Sequence, residues 1–384
     1  MKLWILTNAP SPYQADFFRA LHRSGRHTVA VRFMRGVHRG EPLAADAGFP
    51  CRVMKGLGPE SWPDELRLHP EAIREAWAGG HDFHVLSGQY TSPTFLACAL
   101  ALRARRRPWG MWLEQPWPED YRPAWARTLS ARSPVARAAR RALLRALIRS
   151  TDRLLCIGTA AAEAYQRAGA PETKLAVVPY LCETERFALA DPAASADVRR
   201  RFGLAGRLVF LFSGALIERK GVDVLLAAFQ RLAAGSADAA LLVLGDGPLR
   251  PALEAAVDPG LRDRVRFAGH VAQADLPAHY RAADVFVFPS RHDGWGVVIN
   301  EACAAGLPVI VTRQTGASRE LVRDGDNGFV VERDDAAALY GKMRFFAGRR
   351  DELARFGQRS RELIAGYSPD EGVRMFESAI GAAG

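Results

Sequence analysis

The stretch that most constrains the fold runs from Pro289 to Pro308 and reads Pro-Ser-Arg-His-Asp-Gly-Trp-Gly-Val-Val-Ile-Asn-Glu-Ala-Cys-Ala-Ala-Gly-Leu-Pro. Just before it, residues 285–288 are aromatic and β-branched, a composition typical of a buried parallel strand. Gly294 and Gly296 let the backbone of the following turn approach a ligand closely, and the apolar spacing after them predicts a helix packed on a sheet. The sequence therefore predicts a strand, a glycine turn and a helix start in immediate succession.

Two carboxylates lie within this turn and helix. Asp293 belongs to the predicted turn and Glu301 to the first turns of the helix, so both can face one ligand. The free N–H groups and the dipole at a helix start favour an anion such as a phosphate. Taken alone, the stretch also fits a plain strand-turn-helix joint with two acidic side chains on its surface.

The composition is that of an ordinary globular protein with room for two domains. The chain has 384 residues, of which 48% are hydrophobic and 24% charged. No apolar run approaches the length of a membrane-spanning helix, and residues 2–6 are too short for a signal peptide, so we expect a cytoplasmic protein. The five cysteines show neither CxxC nor Cys/His spacing, which argues against a disulfide framework or a zinc site.

Positive charge is concentrated in the first half of the chain. Up to Glu183 there are 26 Lys and Arg against 16 Asp and Glu, whereas the remainder holds 26 of each. The region 103–153 has 13 arginines and four acids, and arginines repeat there every four residues beside an apolar face, which predicts a basic amphipathic helix. The repeated arginines are Arg137, Arg141, Arg145 and Arg149, and the apolar face is Leu144, Leu147 and Ile148.

This basic helix suits an anionic membrane surface, and it also fits a face that is simply solvated. Nucleic acid binding is not expected, because the sequence has no recognisable module for reading bases. A basic patch by itself supports only non-specific binding to phosphates.

Short apolar runs alternate with helical patterns along the whole chain, which predicts α/β domains with parallel sheets. The strands predicted in the first half are residues 3–7, 28–33, 83–87, 108–113, 154–157 and 175–178, with a helix at 14–22. Those predicted in the second half are 208–213, 241–244, 265–268, 285–288, 309–311 and 329–331, with a helix at 222–232. Residues 41–58 are typical of a loop, and residues 191–197 of a linker between two domains.

Three loops follow strand ends of the first domain, which is where ligands bind in parallel sheets. They are residues 8–13, 87–90 and 114–117, and each offers polar groups. Glu114 is the only carboxylate directly at one of these ends. It fits an acid, a base or a hydroxyl anchor, and it equally fits an ordinary loop glutamate.

Tryptophan is also concentrated in the first domain. Seven of the eight tryptophans fall at or before Trp125, including Trp109, Trp112 and Trp117. They fit an aromatic wall suited to stacking on sugar rings, and core packing explains most of them equally well.

Motif spacing separates the remaining classes of α/β protein. The sequence lacks the Gly-x-Gly-x-x-Gly and P-loop fingerprints, which argues against dinucleotide oxidoreductases and P-loop proteins. Six spaced motifs, covering most of residues 205–335, instead resemble the retaining GT-B glycosyltransferases of family 4. They are Gly214-x5-Lys220-Gly221, Gly245-Asp246-Gly247-Pro248, Val265-x-Phe267-x-Gly269, Phe288-Pro289-Ser290, Asp293-Gly294-Trp295-Gly296-x4-Glu301-Ala302 and Gly306-Leu307-Pro308-Val309-Ile310. The first half is similar more loosely, through Pro-Ser-Pro-Tyr after the first strand and Val178-Pro179-Tyr180.

The resemblance implies two doubly wound, Rossmann-like domains that face each other across a cleft. They would span residues 1–190 and 191–368, and residues 369–384 would return to the first domain as a helix. The second domain would bind a UDP- or GDP-sugar donor, with no cofactor and no metal. The first would bind the acceptor.

The resemblance also implies roles for single residues. Lys220 would neutralise the diphosphate, Asp293 would hold sugar hydroxyls and Glu301 would bind the ribose hydroxyls, while the loop at His270 and Val271 would meet the base. The donor-binding residues expected are Gly214, Arg219, Lys220, Gly245, His270, Val271, Gly294, Trp295, Gly296, Val297, Val298 and Glu301. The acceptor-side residues expected are Pro12, Tyr13, Gln89, Tyr90 and Glu114, and catalysis is expected to rest on Lys220, Asp293, Glu301 and Glu114.

Three departures from the family pattern stand out. Ala215 occupies the place of a second cation for the diphosphate, and the neighbouring Arg219 is the candidate substitute. Asp293 stands where the family commonly has glutamate, so its carboxylate reaches less far. Many relatives carry a histidine on the first domain near the reacting sugar carbon, where Glu114 stands here.

The function expected from the sequence is a retaining, metal-independent transfer of sugar to a glycan or lipid-linked acceptor, in cell-surface polysaccharide assembly. The enzyme would be cytoplasmic and peripheral to the inner face of the membrane through the region 103–153. The alternatives on the same fold are a nucleotide-sugar epimerase, a phosphorylase and a catalytically weak scaffold member. A membrane-binding or nucleic-acid-binding protein without chemistry is the alternative outside enzymes.

Overall fold

The computed structural model describes residues 1–38, 41–42, 47–59, 62, 66–115 and 133–381. In this part of the chain there are two compact units. Residues 1–115, 133–181 and 369–381 belong to the first unit, and residues 182–368 to the second.

A seven-stranded sheet, with order β5-β2-β1-β6-β7-β8-β9, is the centre of the first unit. Its strands are β1 (Lys2–Thr7), β2 (Thr28–Phe33), β5 (Cys51–Val53), β6 (Phe83–Ser87), β7 (Trp109–Leu113), β8 (Arg153–Cys156) and β9 (Leu175–Val177). The short strands β3 (Val37–His38) and β4 (Glu41–Pro42) form a separate antiparallel pair. All neighbours in the large sheet are parallel, which confirms the fold predicted from the alternating pattern.

The region 41–58 is not entirely the loop that the sequence predicted. Cys51–Val53 is the edge strand β5, which pairs with β2 from Val31 to Phe33. Three residues are too few to show a hydrophobic period, and this strand exists because the exposed edge of β2 supplies its hydrogen-bond partners.

Six helices of the first unit fall within the described residues, and several of them cover the faces of the sheet. They are α1 (Pro12–Arg23), α2 (Pro70–Ala78), α3 (Pro93–Ala104), α4 (Pro134–Ser150), α5 (Thr159–Arg167) and α15 (Pro369–Gly381). The last of these packs against α1, β8 and β9, so residues 369–381 belong to the first unit. This places a helix where residues 369–384 were expected to return to the first domain.

Core packing is the role of the tryptophans in the strands of the first unit. Trp4, Trp109 and Trp112 are each at most 1% exposed, and the ring of Trp112 lies 5.0 Å from that of Phe17. Trp62 and Trp77 are half exposed. Trp117 and Trp125 lie outside the described residues, so the predicted aromatic wall stays a prediction for them.

The basic helix is confirmed as α4, and its two halves differ. In the second half, Leu144, Leu147 and Ile148 are buried, as the apolar face predicted. In the first half, residues 134–142 are exposed on every side. Among the helices that the structure describes, none is both long enough and apolar enough to span a bilayer.

A six-stranded sheet, with order β12-β11-β10-β13-β14-β15, is the centre of the second unit. Its strands are β10 (Leu208–Ser213), β11 (Ala239–Leu244), β12 (Val265–Gly269), β13 (Val285–Phe288), β14 (Val309–Thr312) and β15 (Gly328–Val331). Its helices are α6 (Thr184–Ala188), α7 (Pro192–Arg201), α8 (Val222–Ala233), α9 (Arg250–Ala255), α10 (Leu276–Arg281), α11 (Val298–Ala304), α12 (Ser318–Leu321), α13 (Ala336–Gly348) and α14 (Glu352–Ile364). The sheet is again parallel throughout, so both units are doubly wound α/β folds.

The linker predicted at 191–197 is wrong, because these residues begin the helix α7. The carboxylate of Asp191 accepts from the amide of Ala193 at 2.9 Å, and Pro192 occupies the first helical turn. An aspartate cap followed by proline and alanines is a helix-start signal, and it outweighs the linker-like composition.

Candidate functional site

Three strand ends of the second sheet meet at glycines. Gly245 directly follows β11 and has a positive φ of 118°, and a Cβ at this position would collide with the carbonyl oxygen of Gly214 after β10. The amide of Gly245 donates to the carbonyl of Gly269 at the end of β12, at 2.7 Å. Glycine is therefore required at Gly245 by the close approach of the neighbouring backbone.

The turn after β13 is held in one shape by backbone bonds. The amide of Asp293 donates to the carbonyl of Gln314 at 3.1 Å, and the amide of Gly316 donates to the carbonyl of Asp293 at 3.0 Å. Gly296 has a φ of 88°, and a Cβ there would lie 2.7 Å from Cγ2 of Thr315. The strand-turn-helix succession predicted from the opening stretch is confirmed.

Trp295 and Asn300 fasten this turn to the helix that follows it. The indole Nε1 of Trp295 donates to Oδ1 of Asn300 at 2.9 Å, and both side chains are fully buried. Trp295 was expected among the donor-binding residues; its indole packs the turn against α11, and a contact with the donor stays a prediction. Asn300 was not singled out by the sequence, because a polar residue within a helix carries no positional signal by itself.

A 3-10 turn at Glu218–Lys220 lies against the same loop. The carbonyl of Arg219 accepts from the amide of Arg291 at 2.8 Å and from the hydroxyl of Ser290 at 3.1 Å. Its guanidinium donates to the carbonyl of His292 at 2.8 Å. Arg219 therefore fixes the loop through both its backbone and its side chain.

Two cations converge on one carboxylate oxygen at this point. Nζ of Lys220 forms an ion pair with Oδ2 of Asp293, and Nη1 of Arg219 reaches the same oxygen at 3.2 Å. Lys220 is 5% exposed and Asp293 is 9% exposed. Nζ of Lys220 also lies 4.7 Å from the ring centroid of Phe288, a cation–π contact.

The electrostatics of this cluster, hereafter the cation cluster of Arg219, Lys220 and Asp293, favour an anion. Burial acts to raise the pKa of Asp293, but the charges of Lys220 and Arg219 hold that pKa well below its usual range. The carboxylate is thus ionised at neutral pH, and the three groups together carry one net positive charge. Burial lowers the pKa of the adjacent His292 to about 4, so the imidazole is neutral there and adds no charge.

Glu301 is held by a residue that sequence reasoning missed. Its Oε2 accepts from the hydroxyl of Tyr280, on α10, at 2.6 Å. Tyr280 is fully buried, and burial followed by the negative charge of Glu301 raises the pKa of the phenol well above its usual value. The hydroxyl therefore stays protonated and donates. No local motif marks Tyr280, because its partner lies in another helix.

An aromatic row connects Glu301 with the cation cluster. The ring of Tyr280 stacks on Phe286 at 5.6 Å, and Phe286 stacks on Phe288 at 6.2 Å. Phe286 and Phe288 are two positions apart in β13 and so lie on one face of the sheet. The row ends at Nζ of Lys220, so Lys220, Asp293 and Glu301 belong to one side of the second unit.

The remaining residues expected at the donor site follow the ends of β13 and β12. Val297 caps α11 and Val298 begins it, directly after the turn that holds Gly294 and Gly296. His270 is exposed and Val271 is partly exposed, just after the end of β12. Their contacts with a nucleotide stay predictions.

In the first unit, Tyr13 and Glu114 meet at Tyr180. The rings of Tyr13 and Tyr180 are 4.5 Å apart, and both Tyr13 and Glu114 hydrogen-bond to the Tyr180 side chain. Burial, followed by the charge of Glu114, raises the pKa of Tyr180 well above its usual value. Tyr180 was noted in a motif but not assigned to the site.

For the other residues expected on the acceptor side, the structure gives a position in the fold. Pro12 begins α1, directly before Tyr13. The carbonyl of Glu114 accepts from the hydroxyl of Tyr165 at 2.8 Å, and the electrostatic influence of Tyr90 also reaches Tyr165. Gln89 is exposed, and its carbonyl accepts from the amide of Ser92 at 3.0 Å. Residues 116 and 117 of the predicted third loop lie outside the described residues.

A metal-binding arrangement is not found in the part of the chain that the structure describes. There, no group of three or more His, Cys, Asp or Glu side chains is placed to hold a metal ion. The expectation that the reaction needs no metal stays a prediction.

Comparison with known families matches most of the chain. Residues 207–347 match the family "Glycosyl transferases group 1", and residues 8–180 match "Glycosyl transferase 4-like domain". The solved structure of Anabaena Alr3699/HepE in complex with UDP superposes with a TM-score of 0.78, at 18% identity, and covers 100% of both chains. At this identity the superposition establishes a shared fold.

Two curated relatives are similar in sequence. A D-inositol 3-phosphate glycosyltransferase of Streptomyces scabiei is 31% identical over 318 residues, which cover 79% of this chain and 69% of that protein. A GDP-mannose-dependent alpha-(1-6)-phosphatidylinositol monomannoside mannosyltransferase of Mycobacterium tuberculosis is 34% identical over 239 residues. That match covers 60% of this chain, and the chain spans only 60% of the mannosyltransferase's length.

Proposed function

The chain belongs to the glycosyl transferases of group 1, with the GT-B fold, and from this premise we propose that it is a retaining glycosyltransferase. It moves a sugar from a nucleotide-sugar donor, bound by the second unit, to a glycan or lipid-linked acceptor. The observation that carries the proposal is the buried cation cluster at a strand end of a group 1 domain. A buried excess of positive charge is the feature that a nucleotide diphosphate requires.

The chemistry assigns the cation cluster to the leaving group. Breaking the bond between the sugar and the phosphate develops negative charge on the diphosphate, and fixed cations aimed at that charge lower the barrier. Lys220 and Arg219 supply this charge. Asp293 keeps both cations in place before the donor binds and accepts hydrogen bonds from the sugar hydroxyls.

Arg219 is proposed as the second phosphate cation, in the role left open by Ala215. Its Nη1 contacts the same oxygen, Oδ2 of Asp293, as Nζ of Lys220. The two positive groups are therefore already close together. Its side chain is 24% exposed, which leaves part of the guanidinium open to a ligand. Glu301 is proposed to bind the ribose hydroxyls.

A direct test is a thermal-shift screen of nucleotide-sugars, followed by product analysis. A ligand that binds only the folded state raises the melting temperature, and the shift grows with the logarithm of the ratio of ligand concentration to dissociation constant. GDP-mannose and UDP-glucose are tested first, because the name of one relative gives GDP-mannose and the HepE complex contains UDP. The absence of any shift across UDP- and GDP-sugars would contradict the proposal.

Product analysis separates the transferase from the alternatives. Incubation with the nucleotide-sugar alone yields an epimerised sugar only if the protein is an epimerase. Incubation with inorganic phosphate and a glycan yields a sugar phosphate only if it is a phosphorylase. The transferase yields free nucleoside diphosphate and a glycosylated acceptor whose anomeric configuration matches that of the donor sugar.

The acceptor is proposed to lie at the cytoplasmic face of an anionic membrane, as part of cell-surface polysaccharide assembly. The observation in favour is the first half of α4. It is exposed on every side and carries Arg137, Arg140 and Arg141. The name of the mycobacterial relative also gives a phosphatidylinositol acceptor. Each basic side chain near an anionic surface contributes about 1 kcal/mol of binding.

Vesicle flotation tests the membrane contact. The protein is expected to float with vesicles that contain phosphatidylglycerol, at low salt, and not with pure phosphatidylcholine. Arg137→Glu combined with Arg141→Glu is expected to abolish flotation, while the control pair Arg201→Glu and Arg262→Glu, exposed arginines of the second unit, leaves it unchanged. Equal flotation of both pairs would contradict a role for α4.

A further inference from the structure

The bond between Tyr280 and Glu301 has the features of a built-in orientation device. Glu301 is 6% exposed. Its Oε2 accepts a hydrogen bond from the hydroxyl of Tyr280, with 2.6 Å between the two oxygens. Hydrogen bonds to a carboxylate are shorter and about twice as strong as neutral ones, and a buried one is not shared with water. The direction in which the Glu301 carboxylate points therefore depends on Tyr280.

Tyr280 is itself held on three sides. Its ring stacks on Phe286 with an interplanar angle of 22° and meets Phe187 edge-on at 5.3 Å. Its side chain also hydrogen-bonds to Ser213, the last residue of β10. These contacts restrain the side chain of Tyr280, so its hydroxyl is a well-placed donor that joins α10 to α11.

The protonation of Tyr280 is as fixed as its position. Burial and the adjacent carboxylate raise the pKa of the phenol well above its usual value, so it does not ionise under ordinary conditions. The phenol therefore remains available as a donor to Glu301 at neutral pH.

We propose that Tyr280 is a positioning residue which, through Oε2, holds Glu301 in the rotamer that recognises the ribose hydroxyls of the donor. The proposal rests on the proposed function, which assigns Glu301 to the ribose. Without the phenol, Glu301 keeps its chemistry but samples other rotamers. The loss then falls only on ligands that carry the ribose hydroxyls.

The experiment measures dissociation constants for two pairs of nucleotides by calorimetry: GDP with 2′,3′-dideoxy-GDP, and UDP with 2′,3′-dideoxy-UDP. For the wild type, removal of the hydroxyls is expected to weaken binding at least about tenfold, the usual loss for a hydrogen bond to a charged group. In Tyr280→Phe, the ribonucleotide is expected to bind about tenfold more weakly, while the dideoxy analogue changes less than about threefold. The affinity lost when the ribose hydroxyls are removed is therefore smaller in Tyr280→Phe than in the wild type. The comparison is equivalent to a double-mutant cycle.

A matched control removes an equally buried phenol elsewhere. Tyr165→Phe, in the first unit, loses a bond to a backbone carbonyl and is expected to leave both nucleotides' affinities unchanged. If Tyr280→Phe does not fold, Ser213→Ala loosens the same hydroxyl from its other side and is expected to reduce the penalty in the same direction. Equal weakening of ribose and dideoxy ligands in either variant, or no change, would overturn the proposal.

The variant Glu301→Gln distinguishes the positioning role proposed for Tyr280 from the ribose-binding role proposed for Glu301. If Glu301→Gln leaves the penalty for the missing hydroxyls intact, the ribose assignment of Glu301 fails whatever Tyr280 does. If Glu301→Gln removes the penalty and Tyr280→Phe does not reduce it, the ribose assignment holds and the positioning role of Tyr280 fails. If the wild type binds neither GDP nor UDP, the donor assignment itself fails.

Discussion

The strand-end loops of the two units carry different chemistry. In the second unit, Lys220 and Arg219 converge on the buried carboxylate of Asp293. In the first unit, the tilted ring pair of Tyr13 and Tyr180 meets Glu114, which is exposed. One set of loops presents buried charge and the other presents hydroxyls and aromatic faces, although both follow the same kind of parallel sheet.

We propose that this difference serves two kinds of recognition within one architecture. Buried cations that share a carboxylate interact strongly with a phosphate, because little water screens them. A tilted pair of tyrosine rings and an exposed glutamate suit a neutral, hydroxyl-rich ligand, because ring faces pack on sugars and hydroxyls pair with carboxylates. The comparison also predicts which substitutions have large effects, since charges buried as a group cannot be removed singly without leaving others unpaired.

The largest effect is expected for Lys220→Ala. Sugar transfer should fall about 10²- to 10³-fold, the range for removing one preorganised donor from a developing charge. The measurement is the release of nucleoside diphosphate in the presence of acceptor. Lys2→Ala, at the exposed start of β1, is the control and should retain full activity. An active Lys220→Ala would exclude Lys220 from catalysis, whereas an inactive wild type would favour the scaffold alternative.

Asp293→Asn and Glu114→Gln compare the two sets of loops directly. Asp293→Asn leaves Lys220 and Arg219 facing each other without a counter-ion, and breaking such a buried group should lower the free energy of unfolding by about 3 kcal/mol. Glu114→Gln, at an exposed position, should change it by less than about 1 kcal/mol. Urea denaturation of both variants at pH 7 gives the two values. Equal losses would show that the two regions do not differ as described.

Arg219→Ala should weaken binding of UDP or GDP about tenfold while leaving binding of the corresponding nucleoside unchanged, because only the diphosphate contacts the guanidinium. Calorimetry on the nucleotide and the nucleoside separates the two contributions. Adding Ala215→Arg to Arg219→Ala should recover part of the affinity. If nucleoside and nucleotide lose affinity equally, Arg219 serves only to hold the loop at 290–293.

The last effect concerns pH and His292. Its folded pKa of about 4 lies below the 6.5 of a free imidazole, so the unfolded state binds more protons between these values, and stability falls as pH drops from 6.5 to 4. Between pH 7 and pH 5 this amounts to about 2 kcal/mol at most. The low pKa of Asp293 acts in a separate window, because its contribution is lost only below about pH 4.

The comparison of wild type with His292→Gln isolates this effect, because the other titrating groups are common to both. The groups that act on the imidazole are Asp293, Arg219, Lys220 and Arg333. Urea midpoints at pH 7 and pH 5 should move less in His292→Gln than in the wild type. Identical shifts would mean that His292 is not held neutral by burial.

The sequence predicted the sheets better than the site. Every strand of the second unit was placed to within two residues, because parallel strands buried on both faces are continuous apolar runs. Asp293 and Glu301 were recognised through their spacing and a family resemblance. The partners of these two carboxylates were not fully anticipated, since Arg219 was singled out as a phosphate cation and Tyr280 was not singled out at all.

The features that the sequence did not predict depend on contacts between residues far apart in the chain. The edge strand at Cys51–Val53 is too short to show a period, and it forms because β2 offers a free edge. The hydroxyl of Tyr280 reaches a carboxylate in the next helix, 21 residues later, and that of Tyr180 reaches Glu114 across the first sheet. Local patterns contain no information on such pairs.

The sequence by itself determined two doubly wound α/β units, the glycine turn after β13 and the basic helix α4, because apolar period, glycine position and charge spacing are local properties. Tertiary structure alone decided that Lys220 and Arg219 share one oxygen of Asp293, and that Tyr280 donates a hydrogen bond to Glu301. These pairs depend on how the ends of β10 and β13 and the helices α10 and α11 are brought together by the core. The opening stretch supplies the carboxylates, and the packing around it supplies the groups that hold them.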